Sequence, residues 1–263
     1  MSSIVTLTTD FGLRDAYVGI MKGVVLSLDA DVQIVDLCHE IGAQDVRQGA
    51  YALWSAVDAF PPGTIHVAVV DPGVGSERRS IAVQAGGQRF VGPDNGLLWE
   101  AVQRFSHFRA VELDNPDFFH SMEPSATFHG RDIFASVAGH LSRGVPFEEL
   151  GTPIEDPRKM VLFNAEQKDK VIHGRLLLSD HFGNIVTNIS QRFLREVSSL
   201  EKCELLVGHQ IFRGIKRTFS DVEAGEPVVY VNSFGLVEIG VRNGSAQETF
   251  PLTPDLPVEL RLP

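Results

Sequence analysis

The sequence predicts an α/β domain followed by a small antiparallel β domain, and three observations carry that expectation. Between Ile4 and Leu141, short apolar runs alternate with stretches whose apolar residues recur at helical spacing, the pattern of helices packed on a central, largely parallel sheet. From Val171 onward the chain breaks into short β-rich runs punctuated by turns, as in an antiparallel sandwich or barrel. Between them, Pro153, Pro157 and the polar run Asn164 to Lys170 read as a change of domain. The expected layout is a first domain at 1–162, a linker at 163–170 and a second domain at 171–263.

Taken in order, Ile4 to Thr8 form a strand ending at Thr9-Asp10-Phe11-Gly12, after which Asp15 is placed to cap a helix. Tyr17, Ile20, Met21, Val24, Val25 and Leu28 give that helix an apolar stripe for a core. Val32 to Val35 make the next strand, ending at Asp36. A second helix carries Val46, Ala50, Leu53, Trp54 and Val57 on one side until Pro61-Pro62-Gly63 stops it. The run Thr64 to Val70 is β-branched without polar alternation, so it reads as a strand buried on both faces, and it ends in Asp71. Ser80 to Val83 and Arg89 to Val91 read as a hairpin leading to Pro93-Asp94-Asn95-Gly96 and a helix near Leu97 to Phe105. A further helix follows Thr127-Phe128-His129-Gly130-Arg131-Asp132, with Ile133, Phe134, Val137, Ala138 and Leu141 on its apolar face. In the second half, strands are expected at 175–179, 185–189, 204–207, 227–231, 236–241 and 258–262.

With 263 residues, 43% of them hydrophobic and 22% charged, the chain has the composition of a soluble globular protein. No apolar run approaches the ~20 residues of a membrane span and no secretory pattern precedes Ile4, so a cytoplasmic enzyme without membrane attachment is expected. A net charge of −11 disfavours nucleic acid and suits a cationic small ligand. Cys38 and Cys203 fit neither a zinc nor a redox spacing and read as reduced packing residues.

The stretch with the strongest chemical content is Val69 to Ser80. A carboxylate, Asp71, emerges at a strand end; Pro72, Gly73 and Gly75 turn the chain; Arg78 and Arg79 follow within reach of the acid. A Gly-rich turn with a surface salt bridge would look the same. It is not a phosphate cradle, because Arg78 stands where a dinucleotide fingerprint needs glycine and no Gly-Lys-Ser/Thr follows. Asp10, Asp36, Asp71 and Asp94 all close strand-like runs, which would give one sheet edge a negative potential. His129 sits near a helix N-terminus, where the dipole favours a neutral ring, whereas His66 and His140 read as structural. In the second domain, Asp180-His181-Phe182-Gly183-Asn184 and Asn232-Ser233-Phe234-Gly235 each set an aromatic beside amide or hydroxyl groups. Such a turn can hold a planar base or can simply close a hairpin.

These separated motifs, in this order and over nearly the whole chain, resemble the S-adenosyl-L-methionine (SAM) hydroxide adenosyltransferases, hydrolase relatives of the bacterial fluorinases and chlorinases. The resemblance implies an N-terminal α/β domain joined to a C-terminal β-barrel, and trimers with sites between the first domain of one subunit and the second of its neighbour. It implies water attack at the ribose 5′ carbon to give adenosine and L-methionine, with SAM as substrate and neither cofactor nor metal. The family's water-handling set falls on Asp71, Arg78 and His129; the ribose acid matches Asp10, and Asp15 lies at the methionine end. Phe182 and Asn184 resemble the adenine turn, Asp180 and Ser233 the methionine contacts, and Glu238 is assigned to the adenine edge. Phe234 departs from the arginine of the halogenases, and tyrosine or threonine stands in those enzymes where this chain has Asp71, Arg78 and His129.

On this reading Arg78 polarises the water while Asp71 or a neutral His129 takes its proton, since bulk water with a pKa of about 15.7 supplies little hydroxide at neutral pH. Three alternatives stay open from the sequence: a halogenase, a metal-dependent hydrolase using Asp10, Asp36, His39 and Asp71, and an adenosine-binding module.

Overall fold

The strand ends that carry the acids lie side by side, because the strands before them run parallel. In the computed structural model, which describes residues 3–263, the chain divides into two units, Met1–Val161 and Leu162–Pro263. The first contains β1 (Ile4–Thr9), α1 (Tyr17–Leu28), β2 (Gln33–Cys38), α2 (Val46–Ala56), β3 (Ile65–Val69), β4 (Ser80–Ala85), β5 (Gln88–Pro93), α3 (Trp99–Val102), β6 (Phe108–Glu112), α4 (Ser136–Ser142) and β7 (Thr152–Ile154). Its sheet runs β2-β1-β3-β5-β4-β6-β7. The β2-β1-β3-β5 half is parallel, and the hairpin partner β4 begins an antiparallel extension through β6 and β7.

Burial follows the periodicities. β3 is buried at every position, as its unbroken apolar run requires. On one face, Val5 and Leu7 of β1 share a core with Met21 and Val25 of α1, with Val137 and Leu141 of α4 and with Phe134 just before it. A polar layer nonetheless crosses the sheet: His66 of β3 meets Thr6 Oγ1 at 2.8 Å and Gln88 Oε1 at 3.3 Å, and its ring stacks on Phe90. Burial outweighs the Gln88 bond and pushes this imidazole down to about 4, so it is neutral and structural.

Several local expectations change. Asp15 is exposed and does not cap α1, whose N-cap is Ala16 without a side-chain bond. Tyr17 and Ile20 lie outside the buried stripe; Tyr17 instead packs edge-on against Phe128. The helix expected over 97–105 is the single turn α3, because Leu97 is held by Asn95 Oδ1 and Leu97 and Leu98 are buried. A π-helical turn, Gly130–Ala135, leads into α4, and His129 stands at its N-cap.

The second unit contains β8 (Glu166–Lys168), β9 (Val171–Ser179), β10 (Ile185–Ser190), β11 (Glu204–Val207), β12 (Gln210–Arg213), β13 (Ile215–Lys216), β14 (Pro227–Val231), β15 (Leu236–Val241), α5 (Ala246–Thr249) and β16 (Pro257–Arg261). The strand order is β12-β11-β16-β9-β10-β15-β14-β13, with β8 also on β9. All its pairs are antiparallel except β13 with β14. This continuous sheet wraps one barrel-like core that includes Ile172, Leu176, Ile185, Val237, Ile239 and Leu260. The stretch 163–170, expected as a linker, carries β8 and falls inside this unit. Both cysteines are free, Cys203 within the core and Cys38 partly exposed. Among the described residues no helix is long and apolar enough to cross a membrane.

Candidate active site

Because β1, β2, β3 and β5 are parallel, Asp10, Asp71 and Asp94 follow their strands on one edge of the sheet, and Asp36 lies near the end of β2. The four acids then divide into two kinds. Asp36 is bound by Lys22 Nζ at 2.6 Å and lies 3.0 Å from His39 Nε2; burial raises its carboxyl, but His39 and Lys22 together outweigh burial and hold it below the ordinary range. Asp94 is gripped by Arg79 and by the backbone N–H of Arg158. Asp10 and Asp71, by contrast, line a cavity of about 220 Å³ together with Phe11, Gln44, Val69, Val74, Thr127, Phe128 and His129. The sequence pattern alone did not separate the pairs.

The loop after β3 is shaped by its glycines. Gly75 has φ +74°, and a Cβ there would stand 2.3 Å from the Ala126 carbonyl oxygen, so only glycine lets the loop close against the segment entering His129. Asn95 Nδ2 donates to the Val70 carbonyl at 2.9 Å and fixes the chain just before Asp71. From the other side, Asp132, fully buried, accepts from Ser125 N–H at 2.7 Å and pairs with Arg131, which ties the segment before His129 to the π-helical turn.

These constraints bring the three predicted residues together. Arg78 Nε donates to Asp71 Oδ1 at 2.9 Å, Nη2 donates to Asp71 Oδ2, and Nη2 also donates to His129 Nδ1 at 2.8 Å. Nη1 donates to the Arg79 carbonyl at 3.1 Å and to Ser80 Oγ at 2.8 Å. A guanidinium has five N–H groups, and these contacts use all five. Every N–H of Arg78 thus has a protein partner within hydrogen-bonding distance. Its side chain and that of Asp71 are 9% and 5% exposed, so the pair is desolvated and depends on this complete set of partners.

The same contacts assign the imidazole. Arginine cannot accept, so Nδ1 of His129 must, and the ring proton sits on Nε2. Burial and then the Arg78 charge push this histidine below its ordinary value, opposed by Asp71 and Asp132. A neutral His129 in this tautomer presents a donor at Nε2 and has its only acceptor already engaged.

Around them, Asp10 Oδ2 accepts from the Gln44 N–H at 2.8 Å, with Gln44 at φ +65°. No sequence signal marked Gln44, since its backbone alone makes the contact. Ser80 closes the stretch singled out in the sequence, yet no role is assigned to it there. Asp15 is absent from the residues lining the cavity. Among the described residues no group of three or more His, Cys, Asp or Glu is arranged to hold a metal, so Asp10, Asp36, His39 and Asp71 do not converge as the metal-hydrolase reading needs.

The remaining predicted residues belong to the second unit. Asp180 accepts at Oδ1 from the N–H groups of Phe182 and Asn184 and at Oδ2 from Asn184 Nδ2, so it builds its own turn. Phe182 is 75% exposed, Asn184 is buried and Ser233 is exposed. Glu238 is 4% exposed and accepts from Tyr230 Oη and from Asn232 Nδ2 at 2.5 Å. Burial pushes its carboxyl up, those two bonds pull it back, and the charge of Asp180 adds to the rise.

An α/β domain with a compact polar set at the carboxyl edge of its parallel strands, followed by a β-barrel-like domain, defines a two-domain protein built for small-molecule chemistry. The chain belongs to the SAM hydroxide adenosyltransferase family: the model of that family's N-terminal domain matches residues 5–151 and that of its C-terminal domain residues 174–259. It is 39% identical over 254 residues to the (R)-S-adenosyl-L-methionine hydrolase of Salinispora tropica, covering 95% of this chain and 94% of that one. It is 38% identical to the enzyme of that name from Thermus thermophilus, covering 96% and 97%. The fluorinase of Actinopolyspora mzabensis is 30% identical over 92% of this chain and 91% of its own. Among solved structures, an uncharacterized conserved protein from Thermotoga maritima superposes with a TM-score of 0.91 at 34% identity, covering 98% of this chain and 99% of that one.

Proposed function

We propose that this chain hydrolyses S-adenosyl-L-methionine at the ribose 5′ carbon. Water supplies the new C–O bond, the C–S bond breaks, L-methionine leaves as a neutral thioether, and adenosine and one proton are released. The observation that carries this reading is the closed set of contacts around Arg78. It leaves the cavity with an acceptor on Asp71, whose oxygens have further lone pairs, and a donor on His129 Nε2. One water can donate to the first and accept from the second.

Asp71 is then the base that takes the proton as attack proceeds, His129 orients the nucleophile, and Arg78 is a positioning residue that holds both. The sulfonium activates its own leaving group, so the chemistry calls for no cofactor or metal. The carboxylates of Asp10 and Asp71 in one cavity, on a chain of net charge −11, suit a cationic substrate.

Asp10 is assigned to the ribose hydroxyls and Asp15 to the methionine end. In the second domain, exposed Phe182 is assigned to stacking on adenine, Asn184 to its edge, and Asp180 and Ser233 to the methionine amine and carboxylate. The protein is taken to act in the cytoplasm as a homotrimer in which the cavity of one subunit is completed by the second domain of its neighbour.

Reaction in 18O-labelled water with mass analysis of the nucleoside tests the reading. Label on the 5′ oxygen of adenosine is the expected outcome. A 5′-halogenated nucleoside in the presence of chloride, or tight binding with no turnover, would overturn it.

A further inference from the structure

Glu238 was expected to touch adenine, but its contacts point elsewhere. In β15 it stands opposite Tyr230 of β14, and that register delivers the Tyr230 hydroxyl to Oε1. Its Oε2 accepts from Asn232 Nδ2. The orientation of Asn232 is fixed independently, because its Oδ1 accepts from the N–H groups of Phe234 and Leu236, both at 3.0 Å. Glu238 is thus tied directly to the turn 232–235, which carries Ser233.

Two residues further along the same face of β15, a Cβ on Gly240 would stand 2.9 Å from Asn184 Oδ1. One strand face therefore abuts both the turn 180–184 and the turn 232–235.

We propose that Glu238 is a positioning residue: it latches the turn 232–235 through Asn232 and so sets the second-domain half of the substrate site, without contacting the substrate. This rests on the SAM-hydrolase reading for the identity of the substrate only.

The polarity of the latch can be reversed. In Glu238→Gln the amide can keep its carbonyl on Asn232 Nδ2 and donate its NH2 to the Tyr230 hydroxyl, so the bond to the turn survives in a weaker, uncharged form. In Asn232→Asp two carboxylates face one another. In the double variant carrying Glu238→Gln and Asn232→Asp, the new amide at position 238 donates to one oxygen of the new carboxylate at position 232. The other oxygen of that carboxylate still accepts from Phe234 and Leu236, and the buried charge is kept.

Asn232→Asp is expected to raise KM for SAM about tenfold with kcat changed less than about threefold, the loss of one hydrogen bond to a charged group, and Glu238→Gln, which only weakens that bond, to raise KM about threefold. Amide hydrogen exchange across 232–238 should quicken clearly in Asn232→Asp and only slightly in Glu238→Gln. The double variant should bring KM within about threefold of the parent and slow the exchange again. If Glu238 contacts adenine, Asn232→Asp has nothing to restore, and KM stays raised in the double variant; that result, or an unchanged KM in Asn232→Asp, would overturn the proposal. Should a single variant fail to fold, the double variant still decides by recovery of fold and KM together. A parent enzyme that leaves SAM intact would overturn the function itself, whereas the exchange pattern would still accept or reject the latch.

Discussion

His129→Gln and Asp71→Asn should part company. With Nδ1 accepting from Arg78, neutral His129 carries its proton on Nε2 and presents a donor there for the proposed water. Glutamine places an N–H near the Nε2 position but cannot take a proton, so His129→Gln keeps the donor while forfeiting the bond from Arg78 and some alignment. The expected cost is about tenfold in kcat, roughly 1.4 kcal/mol, the size of one imperfect hydrogen bond. Asp71→Asn removes the group assigned to the proton. It also sets an amide N–H against the Arg78 fork that now meets Oδ1 and Oδ2. Losing a general base removes about 10²–10⁴ in rate, or roughly 3–5 kcal/mol. The assay is adenosine release at saturating SAM and about neutral pH, with thermal midpoints measured to show that both variants are folded. If His129→Gln falls as far as Asp71→Asn, the imidazole is the base, and the tautomer deduced from the Arg78 contact does not persist in the reacting complex.

Three further outcomes follow from the same geometry. Protonation of His129 would turn Nδ1 into a donor facing Arg78, so activity should fall on the acid side with a midpoint below 6.5, the direction in which burial and the Arg78 charge move this group; a pH–rate profile with its acid limb above 6.5 would contradict it. His66 is pushed down to about 4 from 6.5, so between those values the unfolded chain binds a proton that the folded chain refuses. Stability is therefore greatest above pH 6.5 and declines as pH drops, by about 3 kcal/mol over the full interval. Denaturant titrations on either side of that interval would show this, and His66→Gln should flatten the slope. Gly75→Ala forces a side chain into φ +74° against the Ala126 carbonyl and should cost about 1–3 kcal/mol together with most of the activity, read by thermal melting and turnover.

The division between what the sequence announced and what it concealed has a physical source. Unbroken β-branched runs ending in aspartate are local facts, and parallel pairing then places those ends on one edge. Asp10 and Asp71 were therefore legible as neighbours on that edge, and the seven-residue reach from Asp71 to Arg78 was legible as a turn. Asp36 and Asp94 carry the same local signature, yet Lys22 and Arg79 neutralise them, and Lys22 arrives from a helix fourteen residues away. Nothing in a one-dimensional pattern says which acid will meet a cation. The short strands β12 and β13 escaped notice because Gly208 and Gly214, both at positive φ, punctuate them into fragments below the length at which alternation can be read. The π-helical turn at Gly130–Ala135 was hidden for the opposite reason, since its Ile133 and Phe134 satisfy an ordinary α-helical stripe equally well.

The chemistry shows the same limit most sharply. Asp71, Arg78 and His129 could be named from motif order, but a guanidinium in a sequence looks like an open hand. Only the three-dimensional arrangement shows all five N–H groups of Arg78 occupied, two of them by Ser80 Oγ and the Arg79 carbonyl, neighbours whose role as acceptors the sequence does not show. That occupancy turns the Arg78 donors toward Asp71 and His129, which supports the proposal that Asp71 takes the proton. A site arranged this way offers an anion no free donor from Arg78 and a carboxylate in its path. The nucleophile it suits is neutral water that loses its proton during attack, in preference to a halide or a preformed hydroxide.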